Sequence, residues 1–480
     1  MKEKTEKDLG ITVKKKDDFS EWYTQVILKA DLADYSSVSG CIVLKPYAYA
    51  IWEKIVQLTD QKLKKIGIQN AYFPLFIPER LLNKEKEHVE GFSPEVAWVT
   101  HAGSSKLDEK LAIRPTSEAI MYESYANWIR SWRDLPLRLN QWNNVVRWEF
   151  KNPVPFLRTR EFLWNEGHTA FATKEEADAE GPVILDIYNS VLNDYMALHG
   201  FTGRKSDKEK FAGAQYTDTI ELLLPNGKAI QGPDFHSDGQ NFAKAYNIKF
   251  LDKDEKMKYV WQNTFAITTR MIGVMLAVHG DDKGLVLPTK VAPNQVVIVP
   301  IIFKDKEEKV MEKAKELAKK LKKYDAVLDD RDYSAGWKFH EWELKGVPVR
   351  IEIGPKDIEK KQVVLVRRDT GEKEFVKMSD IEKKTDKILE EMQGALYKKS
   401  KDFLEENMVK VNSFDELKKA VNNGKIAVAG WCGNVWCEDW LKDKTGGAKI
   451  LNLEFYKPKT GNCVYCGKKA EHTARIAKSY

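Results

Sequence analysis

Apolar residues recur every three or four positions over 46–67, with Ile51, Ile55, Leu58, Leu63 and Ile66 on one stripe. This spacing predicts an amphipathic helix opened by Pro46 and closed by Gly67, the end preferences that helices show. The short apolar run 72–78 follows and reads as a strand, whose prolines assign it to a sheet edge or to an interface with a second chain. Two readings are open for this pair: a dimerisation element, or an ordinary helix and strand with a proline bulge. Over 110–285, strand-like runs broken by Gly, Pro and Asn surround a helix-like piece at 175–198. The section ends at 268–279 on a polar entry into an apolar helix. The pattern predicts an α+β unit, a mainly antiparallel sheet with helices packed on it.

The texture changes at Pro293. A continuous apolar strand at 296–303 precedes a lysine-rich helix at 305–324 that turns Val310, Ala314, Leu317 and Leu321 inward. Strands at 326–328, 347–353 and 363–367 and a helix at 333–345 complete a small α/β unit with a largely parallel sheet. A third texture starts at Ser379, where Ser379-Asp380-Ile381-Glu382 reads as a capping box opening a long charged helix toward Met408. Strand-like pieces beyond it carry four of the five cysteines. The expected division is 1–288, 289–378 and 379–480, preceded by a charged arm over 1–20.

Composition narrows the class. A chain of 480 residues exceeds one ordinary core, and 42% apolar residues supply several. A net charge of +6 permits nucleic-acid binding without demanding it. No apolar run approaches a membrane span, and the N-terminus lacks the apolar segment of a signal peptide. Five cysteines in a chain this long do not make a disulfide framework. A soluble cytoplasmic protein with no membrane partner is expected.

The chemistry concentrates in Arg147-Trp148-Glu149-Phe150, a charged loop, and 156–168, read as strand, loop and strand. Guanidiniums are unusual in a β-hairpin, and an arginine fork matches phosphate oxygens bidentately. A salt-bridged surface hairpin with Arg147–Glu149 and Arg158–Glu161 pairs is the other reading. Arg270 opens the last helix of the first section, where its charge opposes the macrodipole and a bound anion would relieve the conflict. Arg147, Arg158 and Arg270 together could clamp a nucleotide triphosphate and stabilise charge that builds on phosphorus. There is no GxxxxGK[ST] motif. Cys432-x4-Cys437 and Cys463-x2-Cys466 suit one closed tetrahedral sulfur site for structural zinc; four free thiols are the alternative.

These residues resemble the class II aminoacyl-tRNA synthetases. Pro74 is similar to their motif 1, Arg147-x-Glu149 with Arg158-x-x-x-Phe162 to motif 2, and Thr269-Arg270 entering an apolar helix to motif 3. The chain more narrowly resembles the prolyl-tRNA synthetases of archaeal and eukaryotic type, through Arg114-Pro115-Thr116-Ser117-Glu118, 162–168 and 336–343. The resemblance runs from about residue 17 to Tyr480. It implies a class II catalytic domain, an α/β anticodon-binding domain and a small α+β zinc-binding C-terminal domain. It also implies a homodimer that activates L-proline with ATP and magnesium and charges tRNA(Pro), with alanine or cysteine as misactivated amino acids. On this resemblance, Thr116 and Glu118 hold the prolyl amine, and Trp164, Phe92, Glu166 and His236 surround the ring. Arg147 binds the carboxylate or adenylate phosphate. Glu149 accepts from the adenine amino group, and Phe162 stacks on the base. Gln231, Thr269, Arg158 and Arg270 complete the ATP site. Lys338, Glu341 and Arg350 are the implied anticodon readers, with a solvated charged face as the alternative. Tyr480 is either a tail reaching toward the active site or a frayed end. One departure stands out: Pro233-Asp234-Phe235-His236 occupies the place where the family usually has glycine–threonine–serine–histidine.

Overall fold

The computed structural model describes residues 10–88, 95–149, 152–302, 307–455 and 461–480. Most of the charged arm, Phe92, Phe150, Phe303 and Asp305 lie outside them.

Among the described residues, eleven strands form one sheet. Six consecutive ones make its antiparallel centre: Phe201–Arg204, Tyr216–Leu223, Ala229–Gly239, Trp261–Ala266, Glu161–Phe171 and Leu137–Val146. The two-residue alternation of a strand divides their side chains between two faces. Phe235, Phe265 and Ile267 enter a core with helices Phe19–Lys29, Pro46–Lys65, Lys174–Ser190 and Arg270–His279. On the other face, helices Glu118–Trp128 and Asn241–Tyr246 cover one end through Tyr122, Tyr125 and Phe242, leaving the centre of the face concave. The Pro46–Lys65 helix buries Ile51, Ile55 and Leu63 as its stripe predicts. The strand expected over 72–78 is shorter, because Pro74 has no amide hydrogen for a ladder; Phe76–Pro78 pairs with Ser105–Ile113 in a separate small sheet.

The α/β unit holds five strands in the order Val327–Leu328, Val296–Pro300, Val349–Ile353, Gln362–Arg367 and Lys373–Lys377. The first three are parallel and the last two run antiparallel, so the sheet is mixed rather than largely parallel. The segment between Ile353 and Gln362 is too short for a crossover, which needs about a dozen residues. Helix Ile381–Glu406 lays Ile388, Leu389 and Met392 into this unit's core. Its expected capping box does not form: Asp380 is the N-cap without a side-chain hydrogen bond, and the Ser379 hydroxyl donates to Asp380 instead.

The C-terminal strands Ala448–Leu453, His472–Lys478, Ile426–Trp431 and Met408–Lys410 extend the eleven-stranded sheet at one end. The junction is Leu453 paired with Arg204, supported by Asn452 donating to the Phe201 carbonyl (3.2 Å) and Arg475 to the Thr202 carbonyl (3.0 Å). Gly203 permits it, since a Cβ there would stand 2.4 Å from the Leu453 oxygen. Tyr480 is not frayed. Its N–H donates to Ala229 at 3.0 Å, and its hydroxyl accepts from Asn226 at 2.9 Å, at the start of the strand that carries Gln231 and Asp234. No helix among the described residues is long and apolar enough to cross a membrane.

Candidate active site

Two cavities adjoin on the concave sheet face. The larger, about 440 Å³, is lined by Thr116, Glu118, Glu149, Glu166, Phe211, Thr217 and His236. The smaller, about 80 Å³, is lined by Arg158, Phe162, Thr268 and Arg270. Arg147, Trp164, Gln231, Asp234 and Ala266 belong to both and form the seam.

The larger cavity is lined by carboxylates and aromatic rings. Strand alternation projects Trp164 and Glu166 from one strand and Asp234 and His236 from another onto this face. The Thr116 hydroxyl donates to Glu118, which opens its helix fully packed. Glu166 is held by the Ser117 N–H and hydroxyl and the Asn143 amide, each at 2.7 Å, with His168 Nε2 at 3.4 Å. Burial pushes the Glu166 carboxyl up, but His168, Asn143 and Ser117 outweigh it and hold it down at about 2. Burial lowers the His236 pKa against the pull of Asp234 and Glu118. His236 Nδ1 lies 2.8 Å from the Thr217 hydroxyl, and its ring leans on Phe211 at 4.9 Å. Burial and the neighbouring Glu118 raise the Asp238 carboxyl well above its ordinary value.

The smaller cavity is cationic. Arg270 is anchored by donating to the carbonyls of Leu157 and Gln231, both at 3.1 Å. Burial, then Arg147, push its pKa below the ordinary value, with Arg158 adding to the effect and Asp234 and Glu221 opposing it. An anion placed there would relieve this repulsion. Arg147 donates to the Pro115 carbonyl at 3.1 Å and lies over the rings of Trp164 at 5.1 Å and Phe162 at 5.6 Å. One Asp234 oxygen accepts from Gln231 at 2.8 Å, while the other is buried with no partner among the described residues. One Glu149 oxygen is likewise buried and unpartnered.

The structure thus gathers the three arginines, Glu149, Phe162, Gln231 and the expected proline-site residues. Phe92 lies outside the described residues. Thr269 is buried with its N–H donating to Leu163, and Thr268 faces the cavity instead. Glu161, the acid of the surface-hairpin reading, accepts from Asn144 at 2.8 Å. Phe211, Thr217, Ser117 and Asn143 were missed; Phe211-Ala212-Gly213, a glycine-bearing loop between strands, was the available signal.

Among the anticodon candidates, Lys338 is a correction. It is 2% exposed, and its ammonium donates inward to the Asp329 carbonyl at 3.0 Å. Helical phase turns it to the core, away from the exposed helix face. Glu341 is held by Arg331 and Lys345, and Arg350 by Glu352 while lying over Phe339 at 4.3 Å. The four cysteine sulfurs lie within 4.8 Å of one another, with Cys432 3.5 Å from Cys437 and 3.7 Å from Cys466. Thiolates around one zinc stand about 3.8 Å apart. Cys41 lies elsewhere.

Comparison with known proteins places this geometry. Family models match residues 98–279 as tRNA synthetase class II core domain (G, H, P, S and T), 295–388 as anticodon binding domain, and 414–480 as prolyl-tRNA synthetase, C-terminal. A proline–tRNA ligase of Natranaerobius thermophilus is 51% identical over 94% of both chains. The chain belongs to the prolyl-tRNA synthetase family. It is a class II aminoacyl-tRNA synthetase of the proline–tRNA ligase type. A second relative, proline–tRNA ligase 2 of Bacillus thuringiensis subsp. konkukian, is 50% identical over 97% of this chain and 98% of its own. Within the family the fold is shared closely: a crystal structure of prolyl-tRNA synthetase from Cryptosporidium parvum, complexed with halofuginone and AMPPNP, superposes with a TM-score of 0.94. It is 46% identical to this synthetase and covers 98% of this chain.

Proposed function

We propose that this protein activates L-proline with ATP and transfers it to the terminal adenosine of tRNA(Pro). The observation that carries this is the seam: a cavity of about 440 Å³ lined by carboxylates and aromatic rings meets an arginine-lined one at Arg147, Trp164, Gln231 and Asp234. A mixed anhydride of an amino acid and AMP spans such a junction. A prolyl carboxylate oxygen attacks the α-phosphorus in line and the bond to pyrophosphate breaks, the leaving group departing with its electron pair. Arg147 faces the carboxylate and α-phosphate, and Arg158 and Arg270 face the outer phosphates, offering preorganised charge as negative charge develops. Magnesium supplied with ATP would offset negative charge on the departing pyrophosphate. Glu118 and Thr116 hold the secondary amine, and Trp164 and His236 bound the ring. Glu149 takes the adenine amino group and Phe162 the base face, with Gln231 beside the ribose and phosphate.

In the second step a ribose hydroxyl of the tRNA attacks the prolyl carbonyl. AMP leaves, and the hydroxyl proton departs to a phosphate oxygen or water. No side-chain nucleophile is required. A pocket that reads proline by shape separates small amino acids poorly, since one methylene is worth about 1–3 kcal/mol. Alanine and cysteine are therefore expected as misactivated substrates. Cys432, Cys437, Cys463 and Cys466 would hold one structural zinc, since soft sulfur fills every position. The division 1–288, 289–378 and 379–480 belongs to the same reading, as does a cytoplasmic homodimer. Tyr49, Tyr72 and Phe76, exposed around the Pro46–Lys65 helix and its following strand, support the dimer.

The test is amino-acid-dependent ATP–pyrophosphate exchange with all twenty amino acids side by side. Strong exchange with proline and weak exchange with alanine or cysteine is expected. No exchange with any amino acid, with magnesium supplied, would refute the proposal.

A further inference from the structure

With Lys338 turned inward, an exposed aromatic and a charged group of the α/β unit meet at the start of the Ala335–Leu344 helix. Tyr333 and Trp337 stack there with ring centroids 4.0 Å apart and planes 15° apart. Arg331 flanks both rings, 5.3 Å from Trp337 and 5.7 Å from Tyr333. It is fixed in place: its guanidinium donates to both oxygens of buried Asp329 (2.8 and 2.7 Å) and to Glu341 (2.5 Å). Asp329 is held in turn by the Trp342 indole N–H at 2.8 Å. Tyr333 nevertheless leaves 53% of its surface in solvent. A Cβ built on Gly336 meets nothing within 4 Å, so the helix surface at that position is open.

A flat, pre-stacked aromatic surface held by a locked arginine fits the π-face of an unpaired nucleobase, and stacking on aromatic and guanidinium planes is how single-stranded RNA is gripped. A phosphate fits less well, because Arg331 is already satisfied by two carboxylates and the neighbouring Asp330 and Asp332 are exposed acids. We infer that Tyr333 and Trp337, braced by Arg331, form a stacking platform for one unpaired base of the tRNA anticodon loop. The platform rests on the proposed tRNA-charging function and adds the group that grips the loop.

The experiment compares Tyr333→Ala, Tyr333→Phe and Trp337→Ala with the wild type in two assays on the full chain: proline-dependent ATP–pyrophosphate exchange without tRNA, and aminoacylation of tRNA(Pro). Loss of one base stack reduces binding by about 5- to 150-fold. Tyr333→Ala and Trp337→Ala should raise KM for tRNA by that order, leave exchange within twofold, and Tyr333→Phe should restore tRNA binding. A stem-loop carrying 2-aminopurine in the anticodon should be quenched by the wild type and by Tyr333→Phe, and not by Tyr333→Ala. A pair that merely staples the helix start would change thermal stability and leave tRNA KM and quenching unmoved, which overturns the platform while the function stands. Failure of the wild type to charge any tRNA would instead overturn the function, and the platform with it.

Discussion

Replacing Glu166 with glutamine preserves the side chain's shape and removes a charge around which the floor of the larger cavity is organised. The carboxylate collects three donors at 2.7 Å, from the Ser117 N–H and hydroxyl and from Asn143, with Thr116 at 3.2 Å. An amide has one acceptor oxygen, and its NH2 group would confront the remaining donors. Rotation of Ser117 and a flip of Asn143 can rebuild two contacts as neutral ones, and a hydrogen bond to a charged group is worth about 1.5–3 kcal/mol against about 1 for a neutral one. Exchanging three such charged contacts for two neutral ones costs about 2.5–7 kcal/mol. A pKa held at about 2 against an ordinary value of 4.5 gives about 3 kcal/mol by linkage. Because Ser117 and Thr116 position the Glu118 helix start, KM for proline should rise at least tenfold while KM for ATP changes little. The assay is proline-dependent exchange, with its urea midpoint as the stability readout. The sign with pH follows from the depressed folded value: the contribution is complete above about pH 5 and is lost as pH falls toward 2. The wild type should lose stability through that window, and Glu166→Gln should lose less. An unchanged midpoint together with an unchanged proline KM would refute the reasoning.

Arg147→Ala, which empties the seam of its charge, should lower exchange by about 10²–10³-fold while tRNA affinity stays within twofold, measured by filter binding. Gly167→Ala places a Cβ 2.0 Å from the Phe265 ring and should cost at least about 1–3 kcal/mol by overpacking, read from the urea midpoint. Burial holds His279 at about 4, with its Nε2–H donating to the Met196 carbonyl at 3.0 Å. The unfolded imidazole protonates first, so stability should fall as pH drops from about 6.5 to 4, by about 3 kcal/mol, and His279→Gln should flatten that window in pH-dependent melts. Metal analysis should find one zinc per chain, lost on Cys463→Ser. Chelation should expose the C-terminal strands to protease, and protection that survives removal of the metal would count against a structural role.

Much of the site was legible because its residues are costly anywhere else. Arginines in a hairpin and at a helix start contradict local preference, and the structure resolves both by turning Arg147, Arg158 and Arg270 toward one cavity. Two short cysteine spacings are similarly hard to satisfy except around one point. Lys338 shows the limit. A lysine beside tryptophans reads as an exposed contact, yet its stem and ammonium lie beneath the helix, because the inward phase was set by which neighbours pack and not by polarity. Tyr333 and Trp337 were visible as aromatics, but their stacking depends on the turn before Ser334.

What this sequence determined by itself is what short-range physics governs: element periods, the arginine set, the sulfur ligand set, and three textures corresponding to α+β, α/β and cysteine-bearing parts. What only the tertiary structure decided is long-range register. Pairing of Leu453 with Arg204 runs the C-terminal strands into the catalytic sheet, and Ser117 and Asn143 converge on Glu166 from separate elements. Such contacts join positions tens to hundreds of residues apart. They depend on which strand edge is left open and which buried charge needs donors, and neither is defined until the sheet has formed.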